Sequence, residues 1–230
     1  MRLTVLVCLF AAAAVAAGAQ PATEDLHRME ITLEKETDGN WEVIDPGLVL
    51  EKGDRLRFRF RANFPGYLYV MNRGSSGQNE LLFPREETGE DNRIEAGQEY
   101  RIPATQAWFR VDGPPGHDVV YWLVTPLKLG SEGQGPKYLP LPPPPKTKTP
   151  PKNLLPRCDD SIFRARGLCV DSSAGIRGVT DETDVPENLS GVPRLQSREL
   201  VIMRKGDNST ISMPASQSQP VLYEFRIAHK

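Results

Sequence analysis

Apolar and polar residues alternate one by one along much of the chain between Leu26 and Leu129. In the segment DRLRFRFRAN, Leu56, Phe58 and Phe60 fall on one face of an extended chain and four arginines fall on the other. A period of two is typical of an antiparallel sheet with one face in the core and one in water. The pattern therefore predicts β-strands throughout this part of the chain.

The segment GYLYVMNRGSSGQNELLFP, from Gly66 to Pro84, predicts a β-hairpin. Gly74 and Gly77 lie in its loop, where glycine permits a positive φ. Gly66 is expected to permit the turn before the first strand, and Pro84 to end the second strand because proline has no N–H for a sheet ladder. We interpret the hairpin as architecture and not as a binding or catalytic site.

Two segments indicate which faces are buried. Tyr67 and Tyr69 alternate along the first hairpin strand and are expected to point into a core opposite Phe58 and Phe60. The run DVVYWLVTPL is apolar on both faces over residues 119–124. This predicts a central strand that is covered on both sides.

Turn signals separate the apolar runs, namely DPG, KGD, FPG, EAG and GPPG, and no run has the period of a helix of ten residues or more. Several short strands at this spacing predict an all-β fold, an antiparallel β-sandwich of immunoglobulin-like or jelly-roll-like type. We predict that the sandwich domain covers residues 26–129.

Composition changes abruptly over residues 130–156, which hold nine of the 21 prolines. Proline has a fixed φ and no N–H, so this segment is predicted to be an extended spacer. Residues 157–230 are predicted to contain a disulfide loop and a few strands, in RELVIMRKGDNSTISMP and PVLYEFRIAHK. So few strands cannot bury their own faces, and we expect them to dock on the same sandwich.

The first 19 residues have the pattern of a secretory signal peptide. One positive charge precedes an apolar run that ends in Ala-Gly-Ala, which predicts cleavage between Ala19 and Gln20. The run is shorter than the roughly 20 residues that a membrane span needs, and no later segment approaches that length. The chain is therefore expected to be exported, to the periplasm or the extracellular medium, with no transmembrane segment after cleavage.

Charge and cysteine content narrow the class of protein. The chain has 28 basic and 30 acidic residues, and removing the leader takes away Arg2 alone. This near balance argues against a nucleic-acid-binding protein, which carries a clear basic excess. Cys158 and Cys169 remain after cleavage, and an exported chain folds under oxidising conditions, so a disulfide between them is predicted. Two free thiols, or part of a metal site, are the alternatives.

No motif in the sequence predicts catalysis, a cofactor or a metal. His27, His117 and His229 lie far apart and lack the paired spacing of zinc ligands. No G-x-S-x-G elbow, P-loop or G-x-G-x-x-G occurs. We therefore predict that the protein is not an enzyme. The two acids of a glycosidase come together only in the folded protein, so the sequence leaves a glycosidase open as an alternative.

The arginines Arg55, Arg57, Arg59 and Arg61 are the unusual surface feature of the sequence and form the candidate contact face. This arginine row would bind an anionic envelope polymer or a partner that carries carboxylates. The alternative, which we favour, is pairing across strands with acids. The acids considered for that pairing are Glu30, Glu34 and Glu99.

Tryptophans and loop acids are the remaining candidates for binding. Trp108 and Trp122 lie in apolar strand contexts and are expected in the core, whereas Trp41 is expected at the surface. The loop REETGEDNRIEAGQE holds six carboxylates but lacks the alternating ligand spacing of a calcium loop. We interpret it as a solvated connection. Its acids are Glu86, Glu87, Glu90, Asp91, Glu95 and Glu99.

Several segments together resemble a known family. KGDRLRFRFRANFPGYLYVMN, LLFP, NRIEAGQEYRIP and VDGPPGHDVVYWLV are similar to the bacterial domain of unknown function 4384, over about residues 49–124. The resemblance implies an exported or envelope-linked bacterial module with no agreed activity and no catalytic residues. The proline-rich segment, the cysteine loop and the C-terminal strands lie outside it.

The sequence thus favours an exported, non-enzymatic β-sandwich module that binds or supports a cell-envelope or secreted partner, either a protein or an envelope polymer. A carbohydrate-binding or glycan-processing domain is the first alternative, and a structural or assembly subunit is the second. The identity of the partner and the oligomeric state stay open.

Overall fold

The computed structural model shows two packed sheets. It describes residues 26–129, 155–179, 185–186, 189, 201–205, 208–214 and 220–230. The predicted leader with its cleavage site at Ala19 and Gln20 lies outside the described residues, and so do residues 130–154 of the spacer predicted over residues 130–156.

The described elements are thirteen strands and one short helix. In chain order they are β1 (Leu26–Thr37), β2 (Asn40–Val43), β3 (Arg55–Ala62), β4 (Gly66–Arg73), β5 (Asn79–Phe83), β6 (Arg93–Ile94), β7 (Glu99–Ile102), β8 (Phe109–Arg110), β9 (Gly116–Thr125), α1 (Ser161–Ala165), β10 (Gly175–Gly178), β11 (Val201–Lys205), β12 (Asn208–Pro214) and β13 (Val221–His229).

These strands form two sheets around one core. Among the described residues, seven strands make the first sheet, ordered β11-β12-β1-β3-β7 with β2 beside β1 and β8 beside β3. Six make the second sheet, ordered β10-β13-β9-β4-β5 with β6 beside β4. Every strand pair is antiparallel. The predicted all-β antiparallel sandwich is confirmed.

The strands beyond residue 200 lie within the same two sheets. β12 pairs with β1, where Ile211 lies opposite Met29. β13 pairs with β9, where Tyr223 lies opposite Trp122. β1 is therefore flanked by β12 and β3, and β13 by β10 and β9. Both sheets depend on pairing between distant parts of the chain.

Aromatic rings fill the centre of the core between the sheets. The Phe58 ring makes two edge-to-face contacts. Its centroid is 5.2 Å from that of the Trp122 ring and 5.6 Å from that of the Phe225 ring. Phe60 stacks on Trp122 at 5.5 Å. The alternation of β3 therefore puts its apolar row inside, as the sequence pattern predicts, and Ile227 extends the corresponding row of β13.

A second apolar cluster covers the outer face of the second sheet. Tyr69, Tyr121 and Leu123 pack there with residues that follow the cysteine loop, among them Val179 and Leu189. The central strand β9 is thus apolar on both faces, as its sequence predicts.

The prediction for the hairpin tyrosines was wrong. Tyr69 belongs to this outer cluster, and Tyr67 packs against it. Leu68 and Val70 are the residues of β4 that face Phe58 across the core.

The hairpin itself forms with β4 and β5 as its strands, and Phe83 is the last strand residue before Pro84. Gly77 has a φ of 81°, whereas Gly74 does not have a positive φ. Gly66 serves close packing and not a turn. A Cβ at that position would lie 2.9 Å from Thr125 O, so only glycine lets β4 approach β9 there.

The disulfide between Cys158 and Cys169 is present, with the Cα atoms 4.7 Å apart. α1 lies inside the loop that it closes, and the Asp160 carboxylate caps the helix by accepting from the backbone N–H groups of residues 162 and 163. Val49 N donates to Cys169 O at 2.8 Å, and Asp171 N donates to Gly47 O at 2.8 Å. The loop is therefore attached to the segment before β3.

Candidate functional site

The arginine row lies on the outer face of the first sheet, opposite carboxylates of β1. In register, Glu34 faces Arg57 and Glu30 faces Arg61. Each arginine of the row contacts an acid. The distances are 3.3 Å for Arg55 Nη1 to Glu36 Oε2, 2.5 Å for Arg57 Nε to Glu34 Oε2, 3.0 Å for Arg59 Nε to Glu34 Oε1, 3.8 Å for Arg59 Nη1 to Glu99 Oε2, and 3.5 Å for Arg61 Nε to Glu30 Oε2.

Glu34 is the centre of this network. Its side chain is only 7% exposed and contacts both Arg57 and Arg59. The contact to Arg57 is a hydrogen bond, and the contact to Arg59 Nε is an ion pair without one. Arg57 is itself only 16% exposed, so these two arginines hold the sheet together more than they offer charge to a partner. The accessible ends of the row are Arg55, at 48% exposed, and Arg61, at 52%.

Two tryptophans lie against the same row. The Arg57 guanidinium carbon is 4.3 Å from the centroid of the Trp41 ring, and that of Arg55 is 4.6 Å from the Trp108 ring. Such cation–π contacts stabilise both partners. Trp108 is 46% exposed, so its predicted core position was wrong. Trp122 is buried as predicted.

The expectation for Trp41 was only partly met, because its side chain is half-buried. The error at Trp108 has a local cause. Phe109 and Val111 take the inward positions of the alternation, which places Trp108 and Arg110 on the exposed side.

The outer face of the first sheet is therefore aromatic and nearly balanced in charge. The carboxylates of Glu30, Glu34, Glu36 and Glu99 offset the arginine row. Arg101, opposite Arg59 in β7, is exposed and adds one more cation. An anionic polymer would gain little attraction here, whereas tryptophan and arginine on a flat surface are typical of protein interfaces.

A serine, a histidine and a carboxylate meet beside the disulfide loop. Asp171 Oδ2 is 3.1 Å from His117 Nε2, and Ser173 Oγ is 3.5 Å from the same nitrogen. Ser173 Oγ also donates to Asp171 Oδ1 at 2.6 Å. In a Ser-His-Asp triad the serine and the carboxylate contact opposite ring nitrogens. Here they share one nitrogen, which is a different arrangement.

Asp171 joins the disulfide loop to β9. Its side chain is fully buried and accepts from Arg157 N at 2.9 Å and from Ser173 N at 2.8 Å, besides the contacts above. Burial by itself raises the pKa of the Asp171 carboxyl, but the hydrogen bonds from Ser173, Arg157 and His117 outweigh it and leave the pKa below its ordinary value. The charged Asp171 carboxylate therefore has a structural role, which is to connect the disulfide loop to β9.

The other two histidines lie in separate environments. His229 Nε2 is 3.2 Å from Asp118 Oδ1, which also accepts from Ser75 N at 2.6 Å. His27 stacks on Phe64 with the ring centroids 4.2 Å apart, and burial lowers the pKa of His27. Across the described residues, no group of three or more His, Cys, Asp and Glu side chains is placed to hold a metal ion.

The acids of the loop after β5 do not converge. Arg85 forms ion pairs with Glu80 and with Glu87, the latter at 3.1 Å. The backbone N–H of Glu87 and the Arg85 side chain lower the pKa of the Glu87 carboxyl. Glu95 pairs instead with Arg93 at 2.9 Å.

A cavity of about 300 Å³ opens at one end of the sandwich, between β3 and β8 of the first sheet and β4, β5, β9 and β13 of the second. We call it the mouth cavity. Its apolar lining comes from Leu56, Phe58, Leu82, Phe109, Val111, Val120 and Ile227. Its polar lining comes from Asn72, Glu80, Arg85, Glu87, Thr88, Arg110 and Asp118, with Trp108 beside them.

Sequence reasoning did not identify the mouth cavity. In the sequence, Glu87 stands out only as one of the loop acids, and Trp108 only as an expected core residue. Asn72, at the polar end of the run GYLYVMN, carries the one local signal, an amide in an otherwise apolar strand. The remaining residues come from strands that are far apart along the chain, and no pattern in the sequence brings them together.

Comparison with known proteins gives a family for part of the chain. No curated protein and no solved structure matches it. Within the parts of the chain that the structure describes, no helix is long and apolar enough to cross a membrane. Residues 49–128, from the end of the segment before β3 to just beyond β9, match the family model of a domain of unknown function, DUF4384, which confirms the resemblance of the sequence.

Proposed function

We propose that the chain is an exported, non-enzymatic β-sandwich module that binds a protein of the cell envelope or the secreted fraction through the outer face of its first sheet. The observation that carries the proposal is Trp108, which directly precedes β8 and is 46% exposed, with the Arg55 guanidinium over its ring. Tryptophan and arginine are the residues most enriched where interfaces gain their binding energy.

The rigidity of this face supports the proposal. The ion pairs of Arg57 and Arg59 with the buried Glu34 fix the middle of the arginine row. Arg55 is held from two sides, by Glu36 and by the Trp108 ring. Side chains that are already ordered lose little conformational entropy when a partner binds. The outer face of the first sheet is thus preorganised for binding.

Charge favours a protein over an anionic polymer as the partner. Every arginine of the row already has a carboxylate within 4 Å. A polyanion would have to compete with these acids, whereas a protein with mixed charges can pair with the exposed ends at Arg55 and Arg61.

Two further observations support the rest of the proposal. A leader-like N-terminus and the Cys158–Cys169 disulfide are typical of an exported chain. The cluster of Ser173, His117 and Asp171 ties the disulfide loop to β9, so its contacts have a structural explanation that needs no catalysis.

The test is capture of envelope and secreted proteins by the purified chain, quantified by mass spectrometry, with the double variant Arg55→Ala/Trp108→Ala beside the native sequence. We expect a defined partner whose recovery falls at least about tenfold in the variant, since loss of an interface centre costs 2 kcal/mol or more. Ile162→Ser, an exposed position in α1, is the matched control and should capture as the native chain does.

Equal recovery by the native chain and the double variant would remove the outer face from consideration. Binding to a glycan array that the same variant abolishes would favour the carbohydrate-binding alternative. Concentration-dependent self-association in light scattering, lost in the variant, would favour an assembly subunit.

A further inference from the structure

We propose that the mouth cavity is a binding site for a small amine, a molecule with an apolar ring or chain and a protonated amino group. This activity differs from the proposed protein contact. Trp108 belongs to both sites, but the buried part of the cavity lining, from Leu56, Phe58, Val120 and Ile227, lies between the sheets and not on the outer face of the first sheet.

Size and shape support a small ligand. The cavity holds about 300 Å³, at the lower end of the range found for small-molecule sites. Leu56, Phe58, Val120 and Ile227 are buried core residues that line it, so the space reaches into the sandwich. Apolar walls of this kind accept a ring or a short aliphatic chain and exclude a fully polar molecule such as a free sugar.

One polar atom in the lining has no partner. Asn72 Oδ1 is buried and makes no hydrogen bond to any described residue. A buried carbonyl oxygen of this kind is unfavourable unless a donor reaches it. An ammonium or hydroxyl group on a ligand would supply that donor. Asn72 is therefore the group we expect to orient the ligand.

The charges around the opening favour a cation. Glu80, Glu87 and Asp118 bring three carboxylates to the lining, against the guanidinium groups of Arg85 and Arg110. Arg85 lies between Glu80 and Glu87. Arg110 is engaged by Asp112, an acid outside the lining, at 3.5 Å. The net negative lining attracts an ammonium and repels a carboxylate.

The experiment uses three probes that share one ring and differ in the head group: benzylamine, benzyl alcohol and benzoate. Each is titrated into the full chain, and backbone amide and tryptophan side-chain signals are followed by NMR. We expect saturable shifts that centre on β4, β5 and Trp108. Benzylamine should bind at least about tenfold more tightly than benzoate, with benzyl alcohol between them, because a charge-assisted hydrogen bond replaces charge repulsion.

Two variants locate the site. Leu82→Trp fills the cavity and should abolish the shifts, while Asn72→Leu removes the acceptor and should weaken benzylamine by about tenfold with little effect on the apolar contacts. Arg101→Ala, on the outer face away from the cavity, is the matched control and should bind as the native chain does. Thermal unfolding of each variant checks that it is folded.

Equal affinity for benzylamine and benzoate, or shifts that survive Leu82→Trp in a folded protein, would overturn the proposal. So would the absence of saturable shifts with any probe. The outcome is distinguishable from that of the protein contact, because Leu82→Trp leaves the arginine row intact and should not change partner capture.

Discussion

At the scale of single residues, Glu34 is the position on which the outer face most depends. It is a nearly buried carboxylate that two guanidinium groups contact from the neighbouring strand. Without it, Arg57 would lose the carboxylate to which it hydrogen-bonds, and Arg59 would keep only the longer contact to Glu99, at 3.8 Å. A buried ion pair that loses one partner is strongly destabilising, because the remaining charge has neither water nor a counter-ion.

We therefore predict that Glu34→Gln lowers the free energy of unfolding by about 2–4 kcal/mol. Urea denaturation followed by circular dichroism measures the change. Glu42→Gln, at an exposed position of β2, is the matched control and should change stability by less than about 0.5 kcal/mol. Equal stability of the two variants would show that the network at Glu34 contributes nothing.

Asp171 makes a prediction about pH. Its pKa in the folded protein is lowered, so the carboxylate stabilises the fold fully above the pKa of an unfolded aspartate, about 3.9, and this contribution is lost as the pH falls through the lower folded-state pKa. The native chain should therefore be more stable than Asp171→Asn at neutral pH, and the difference should shrink below about pH 4.

Melting temperatures of both proteins between neutral pH and strong acid measure this difference. Glu42→Gln serves again as the control for general acid effects. If the difference in melting temperature between the native and Asp171→Asn proteins stays constant at every pH, the stabilisation by Asp171 does not depend on its charge.

At the scale of elements, the disulfide loop is held in two independent ways. The covalent bond closes it. Asp171 N donates to Gly47 O and the Asp171 carboxylate contacts His117 of β9, and these contacts attach the loop to the sandwich. The loop also leads into β10 and into residues such as Val179 that cover the outer face of the second sheet. Its anchoring therefore affects a large apolar surface.

We predict that Cys158→Ser/Cys169→Ser destabilises the protein by about 2–4 kcal/mol, the usual effect of removing a short disulfide loop. Because the hydrogen bonds remain, the sandwich should stay folded while α1 loses protection. Hydrogen exchange measures this, with fast exchange expected in α1 and slow exchange in β9. Unchanged protection of α1 would contradict the prediction.

The elements also show what the sequence can and cannot predict. A strand such as β3 follows from alternation, because one of its faces is exposed or half-buried. β4 does not follow so simply, since a distant segment covers its second face and makes both Tyr69 and Val70 buried. The mouth cavity depends on residues from six strands, and only their packing in space brings them together.

At the scale of the whole molecule, the segment that matches DUF4384 does not contain all of the sandwich. It includes β3 and β9 but lacks one neighbour of each, β1 in the first sheet and β13 in the second. The apolar rows of β3 and β9 are covered partly by Leu33 and Phe225 from those outside strands.

A fragment of residues 49–128 is therefore predicted not to fold alone, because it lacks a neighbour for each central strand. Amide dispersion in the NMR spectrum of the fragment, compared with that of residues 26–230, measures this. A well-dispersed spectrum with a cooperative thermal transition from the fragment would show that the outside strands are additions and not requirements.

The position of β1 has a consequence for how the protein is made. Met29 of β1 lies opposite Ile211 of β12, so β1 cannot complete its pairing until a strand much later in the sequence has been synthesised. Closing so large a loop is slow, and sheets built from distant pairs fold late. During synthesis the first sheet therefore lacks β12 beside β1, and the second sheet lacks β13 beside β9, until residues 208–229 have been made.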